Sequence, residues 1–275
     1  MTPKAVRSRD NAAFKSLLKL ATSSRDRRDG GRAVLEGEHL VEAFRDSRLG
    51  EAEVLAAGES ALERASLRDL FETTPASSRL VLADRLMSAL SELASTPGLL
   101  AVIATPRPAT AEAPVGDALL LERIQDPGNL GSILRSALAA GVRDVYLSPG
   151  TVHAWSPKVV RAGMGAHFAL RIHENAVLGD VVRRARGTVL ATRVDAAMPL
   201  YEADLRGPVA WLFGNEGSGL AEPAAEARAV KIPMPGPTES LNVAAAVAVC
   251  LFEQLRQRSA ASVPGSAAPV PGPAA

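Results

Sequence analysis

Polar residues that could act on a ligand gather in three stretches of the second half of this 275-residue chain. Asn129 closes the loop Gln125-Asp126-Pro127-Gly128-Asn129, and Arg135 follows on the apolar-periodic run that begins at Leu130. Glu216 sits beside Asn215 among Gly214, Gly217 and Gly219, directly after an apolar run. Glycines there permit positive φ and let a ligand approach the backbone unobstructed. The third stretch, IPMPGPTESLN, is too rich in proline and glycine for helix or ladder, so it reads as an ordered loop. It leads through Ser240, which reads as an N-cap, and Asn242 into an apolar helix. From that stretch alone, a core helix with an ordinary capped start reads equally well. Cys250 is the single cysteine and lies within the apolar helix, which predicts a small buried thiol rather than a nucleophile. His39, His153, His167 and His173 show no metal-ligand spacing, so no metal is assigned.

The elements that must hold these loops alternate. Strands are predicted over residues 118–124, 145–147, 169–172, 188–192, 209–213 and 230–232, with helices over 130–140 and from Pro157. Crossover-length connections between the strands predict a mainly parallel sheet covered on both faces. Ligand sites in such sheets lie beyond the carboxyl ends of strands, where all three loops fall. Upstream, Phe14, Leu17, Leu18 and Ala21 are helically spaced, and the basic loop SSRDRRDGG follows. Short strands over 33–35, 52–56, 80–83 and 99–103 then alternate with helices over 39–45, 62–71 and 86–93. The domain reading is therefore a small α/β unit over 1–103, a Pro/Ala/Thr linker over 104–117, a second α/β unit over 118–258 and a disordered tail over 259–275.

No secretory signal or disulfide framework is indicated, and the apolar run before Glu253 is too short to span a bilayer. These features predict a cytoplasmic protein that engages no membrane. A net charge of +1 hides an uneven distribution, since residues 1–32 hold nine Lys/Arg against three Asp, a local balance of +6. Lys15, Lys19, Arg25, Arg27 and Arg28 are the candidates for phosphate contact in a nucleic acid. A solvated, partly disordered terminus is the alternative. Neither DPGNLG nor the segment after Leu147 fits a dinucleotide or class-one methyltransferase fingerprint, and there is no phosphate loop ending in Gly-Lys-Ser/Thr.

IQDPGNLGSILRSALAAGV, WLFGNEGSGL and IPMPGPTESLNVAAAVAVCLFE, in that order, closely resemble the three motifs of the SpoU (TrmH-like) RNA ribose 2′-O-methyltransferases of the SPOUT superfamily. FKSLLKL followed by AVLEGEHLVEAF looks like the ribosomal-protein-like substrate domain that many members carry. The resemblance implies a parallel-sheet catalytic domain with a deep trefoil knot, S-adenosylmethionine as cofactor and a homodimer. It implies an RNA substrate, with ribosomal RNA favoured over transfer RNA. The competing reading is a ribosome-associated RNA-binding protein that has lost the chemistry. By position, Gly214, Ile232 and Leu241 match the family's cofactor contacts, with Thr192 and Met234 as neighbours. Asn129, Arg135, Glu216, Ser240 and Asn242 match its polar active-site residues, Arg135 as base or phosphate clamp. Gly163 stands where many members have serine.

Overall fold

The computed structural model describes residues 2–91, 98–108, 116–215, 219–220, 226–237 and 240–261. The first half forms β1 (Lys4–Val6), α1 (Ala12–Thr22), α2 (Ser24–Asp29), β2 (Arg32–Glu36), α3 (Glu38–Ser47), β3 (Val54–Gly58), α4 (Ala65–Thr73), β4 (Arg79–Leu82), α5 (Asp84–Ser88) and β5 (Leu99–Ala104). Its five strands lie in the order β1-β4-β3-β5-β2, with β4 parallel to both neighbours and β5 antiparallel to both of its own. The basic stretch expected as a loop contains α2, whose start is capped by Ser23 Oγ accepting from Asp26 N–H at 3.2 Å. β5 extends to Ala104, inside the expected linker, of which residues 109–115 lie outside the described set.

The second half comprises β6 (Ala118–Leu121), α6 (Pro127–Ala139), β7 (Asp144–Leu147), α7 (Pro157–Gly163), β8 (Arg171–His173), α8 (Leu178–Arg184), β9 (Thr188–Thr192), β10 (Met198–Pro199), β11 (Val209–Phe213), β12 (Arg228–Lys231) and α9 (Val243–Ala261). The seven strands run β10-β12-β9-β11-β6-β7-β8, every pair parallel. Central β6 and β11 are buried throughout because both faces are covered. Leu119, Leu121, Trp211 and Phe213 face a cluster containing Leu130 and Ile133 of α6 and Val247 and Cys250 of α9. Leu120, Ala210 and Leu212 instead face Leu178 and Val181 of α8. Alternate side chains thus seal opposite faces. The first cluster continues into the first half through Leu35, Val41 and Phe44, where Phe44 meets Phe168 edge-on at 5.8 Å. The two sheets therefore share a core.

The last helix is fastened at its far end. Trp211 Nε1 donates to Gln254 Oε1 at 2.6 Å, and Gln254 Nε2 donates to Asp117 Oδ1 at 2.9 Å. Asp117 also accepts from Val209 N–H at 3.0 Å and from both terminal nitrogens of Arg258. α9 consequently runs on to Ala261, into the stretch expected as tail, while residues 262–275 lie outside the described set. Burial opposes the Asp117 charge, but hydrogen bonds from Arg258 and Val209 outweigh it and hold the carboxyl below its usual range. A depressed folded value means stabilisation that is complete above the unfolded value and lost as pH falls through the folded one. Melting temperature is expected to fall as pH drops below about 4, and Asp117→Asn should flatten that decline from a lower starting point. Parallel declines in parent and variant would assign the acid sensitivity elsewhere.

Candidate active site

The parallel sheet brings three predicted residues to one edge. Val230 of β12 pairs with Thr192 of β9, and Leu212 of β11 pairs with Ala191, so the carboxyl ends of these neighbouring strands are level. Gly214 lies one residue and Ile232 two residues beyond the level of Thr192. Ile232 packs on the core, Met234 is half-buried, and Leu241 leaves 41% of its surface in solvent. Gly214 has a role of its own in the loop. A Cβ there would lie 2.4 Å from both the carbonyl carbon and oxygen of Gly219, because Asn215 and Gly219 exchange two backbone hydrogen bonds at 3.0 Å. The absence of a side chain is thus required by loop closure before any ligand arrives.

The first and third loops are tied by their amides. Asp126 caps α6 by accepting from Asn129 N–H at 2.7 Å, with Pro127 in the first turn. Asn242, not Ser240, starts α9: its Oδ1 accepts from Ala244 N–H at 2.9 Å and Ala245 N–H at 3.3 Å. Capping fixes the amide's orientation and leaves Nδ2 to donate to Asn129 Oδ1 at 2.9 Å across 113 residues of chain. Ser240 is exposed two positions ahead of the cap, where its hydroxyl can meet a ligand. Arg135 is exposed on α6, whose other face buries Leu130, Ile133 and Leu134. Glu216 lies outside the described residues.

Two contributors were not foreseen from sequence. Asn215 Nδ2 donates to the carbonyl of Arg123 at 2.8 Å, joining the glycine-rich loop to the end of β6. Arg123 has φ 48°, a left-handed backbone that non-glycine residues seldom adopt, and its N–H donates to Ser148 Oγ at 2.9 Å. Asn215 could have been found in its glycine-rich setting, whereas nothing local marks Arg123 as left-handed.

The basic terminus divides. Arg25, Arg28, Lys15 and Lys19 are exposed, with Lys15 paired to Asp10 at 3.0 Å, Lys19 to Asp26 at 2.7 Å and Arg25 to Asp29 at 3.3 Å. Exposed pairs of this kind are weak and can exchange for phosphate. Arg27 is not such a group: it is buried and donates to the carbonyls of Leu20 at 2.6 Å and Ala21 at 2.9 Å, satisfying the end of α1. It leaves the set of RNA candidates. Gly163 is also explained locally, since a Cβ there would lie 2.7 Å from Cε1 of the buried His167 ring. His167 and Cys250 are both buried; desolvation lowers the imidazole to about 4, which leaves it a weak base, and raises the thiol, which leaves it protonated.

The site lies in the part of the chain, residues 118–252, that matches the SpoU rRNA methylase family model. An uncharacterised tRNA/rRNA methyltransferase of Synechocystis sp. is 35% identical, over 95% of this chain and 97% of its own length. The 23S rRNA guanosine 2′-O-methyltransferase RlmP of Bacillus subtilis is 30% identical, over 90% of this chain and 98% of its own length. Among solved structures, an AdoMet-bound rRNA methyltransferase from Sinorhizobium meliloti superposes with a TM-score of 0.79 at 29% identity, covering 92% of this chain and 97% of that one. With similarity running almost end to end and the motif loops assembled at one sheet edge, the chain belongs to the SpoU methylase family.

Proposed function

We propose that this protein is an S-adenosylmethionine-dependent methyltransferase acting on a ribose 2′-hydroxyl of ribosomal RNA. The observation that carries the reading is the Asn129–Asn242 hydrogen bond, which joins the first and third motif loops across 113 residues of chain. The residues present fit the cofactor: Ile232, Met234 and Leu241 offer partly open apolar surface for an adenosyl group, next to backbone groups at Thr192 and Gly214. When bound, S-adenosylmethionine supplies an electrophilic methyl group on a sulfonium centre. The chain's own part is alignment, which can remove several kcal/mol of barrier by order of magnitude. Asn129 and Asn242 hold the two loops as one wall, and Ser240 presents a hydroxyl to the ribose. Arg135 presents a forked cation to a phosphate; an arginine stays protonated, so clamping suits it better than accepting a proton. The ribose proton leaves to water. Glu216 is assigned to the same polar set.

The wider reading has further supports. Residues 1–103 are assigned as the RNA-binding unit, supported by exposed Lys15, Lys19, Arg25 and Arg28, and the catalytic unit is taken to extend to the end of α9. A deep trefoil knot is assigned to the catalytic unit; its support is that β11 inserts between β9 and β6 before α9 returns to Asp117, ahead of β6. A homodimer is assigned through α9, where Phe252 and Leu255 leave 47% and 38% of their surfaces exposed. A cytoplasmic location suits the buried, unpaired thiol of Cys250. Calorimetry should detect S-adenosylmethionine binding, and ribose-methylation mapping should find one or more ribosomal 2′-O-methyl groups lost in cells without the protein. Absence of cofactor binding would remove the enzymatic reading and leave an RNA-binding protein of this fold.

A further inference from the structure

The turn between α2 and β2 is a pair of glycines, and guanidinium groups from two separate segments lie against it. Gly30 and Gly31 close α2 by donating their N–H groups to the carbonyls of Asp26 at 3.0 Å and Arg28 at 3.1 Å. Gly31 takes φ 59°, in the left-handed region that favours glycine. β5 lies antiparallel to β2 with Ala104 opposite Arg32, and the pairing runs one residue further, where Thr105 N–H donates to the Gly31 carbonyl at 2.8 Å. This register carries the chain leaving the first sheet past the glycine turn, within reach of the Arg107 side chain. A Cβ on Gly31 would stand 3.2 Å from a terminal nitrogen of Arg107, and a Cβ on Gly30 would stand 3.0 Å from a terminal nitrogen of Arg32.

The two arginines are held differently. Arg32 is oriented by Glu53, whose Oε2 accepts from its Nε at 2.7 Å, and 40% of the Arg32 side chain stays in solvent. Arg107 is exposed. Among the described residues, Glu53 is the only carboxylate paired with either arginine. The acids of α2 are engaged by other cations, Asp26 by Lys19 at 2.7 Å and Asp29 by Arg25 at 3.3 Å. Two like charges beside consecutive residues repel, and an anion between them turns that repulsion into attraction. A planar fork of N–H donors suits the oxygens of a phosphate, and the bare glycines leave room for one against the backbone. We propose that this double-glycine turn is a phosphate site for RNA, one backbone phosphate being shared by the forks of Arg32 and Arg107. The inference rests on the RNA-methyltransferase reading and adds to it a contact residue, Arg107, from the segment that joins the two halves of the chain.

The test uses the full chain and an RNA hairpin of fixed sequence, with affinity measured across a salt series. Arg107→Gln removes one charge at an exposed position and is expected to reduce the slope of log affinity against log salt by about 0.7–0.9. Arg107→Lys keeps the charge and loses the fork, so the slope should stay parental while part of the affinity is lost. Arg32→Gln should lower the slope as Arg107→Gln does; if it disturbs β2, the Arg107 variants carry the test. Arg186→Gln is the control, an exposed arginine just ahead of β9 and so at the end of the sheet opposite the motif loops. S-adenosylmethionine affinity should stay parental throughout. A parental slope in Arg107→Gln, or an equal loss in Arg186→Gln, overturns the site and leaves the methyltransferase reading standing. Inorganic phosphate that binds the parent and not Arg107→Gln, with no change in the RNA slope, assigns the turn to a free anion and overturns the RNA contact. A parent protein that binds neither cofactor nor hairpin overturns both readings.

Discussion

Arg135→Ala is expected to lose methyl transfer by about 100-fold, since a charge-assisted hydrogen bond is worth up to about 3 kcal/mol. S-adenosylmethionine should bind within a few-fold of the parent. The separation follows from position: Arg135 is exposed on α6, after the Asn129 loop, whereas the assigned cofactor residues cluster at the ends of β9, β11 and β12. Arg135→Lys tells a clamp from a base. Lysine keeps the charge and loses the fork, so a phosphate clamp is partly restored. A proton-accepting role would instead give the lysine variant a new limb in its pH–rate profile, because an ammonium deprotonates at lower pH than a guanidinium. The exposed setting of Arg135 leads us to expect partial rescue with no new limb. Parental activity in Arg135→Ala would remove this residue from the site.

The second large effect is expected at Asn242, where one side chain does two jobs that substitution can separate. Asn242→Ala removes the cap of α9, costing about 1 kcal/mol, and the bond to Asn129 with it. Asn242→Asp keeps the cap, because a carboxylate accepts the same N–H groups and its charge suits a helix N-terminus. It cannot donate to Asn129 Oδ1, and two oxygens then face each other. The alanine variant should lose both melting temperature and activity. The aspartate variant should melt close to the parent yet lose at least ~10-fold in rate, equivalent to ~1.4 kcal/mol. Full activity in the aspartate variant would show that the link between the loops is dispensable.

The parts of the fold that sequence makes legible are those with a local physical cause. β6 and β11 read as buried strands from unbroken apolar runs, and α7 reads from Ser156-Pro157. The loops at the site read from glycine, proline and capping residues. What sequence conceals is decided at a distance. α2 hides in a polar run because burial of Arg27 depends on the carbonyls of α1, which periodicity does not register. β1, β10 and α8 are short, and the two strands exist through pairing with β4 and β12. Ser240 and Asn242 are comparable caps by type, and the choice between them is settled when Asn242 also meets Asn129. The turn of Arg123 into left-handed space depends on Asn215 and Ser148, both far along the chain.

The fastening of α9 to Asp117 has a consequence for how the molecule comes into being. Asp117 stands just ahead of β6, and its partner Arg258 lies 141 residues later, in the final helix. Contacts between such distant positions form only after a large loop has been closed, and chains dominated by them fold slowly. The same helix opens with Asn242, which caps it and binds Asn129 of the first loop. During synthesis, β6 and α6 therefore emerge long before the helix that completes them. A chain truncated ahead of α9 lacks both the Asp117 fastening and the Asn242 cap, and it is expected to be inactive.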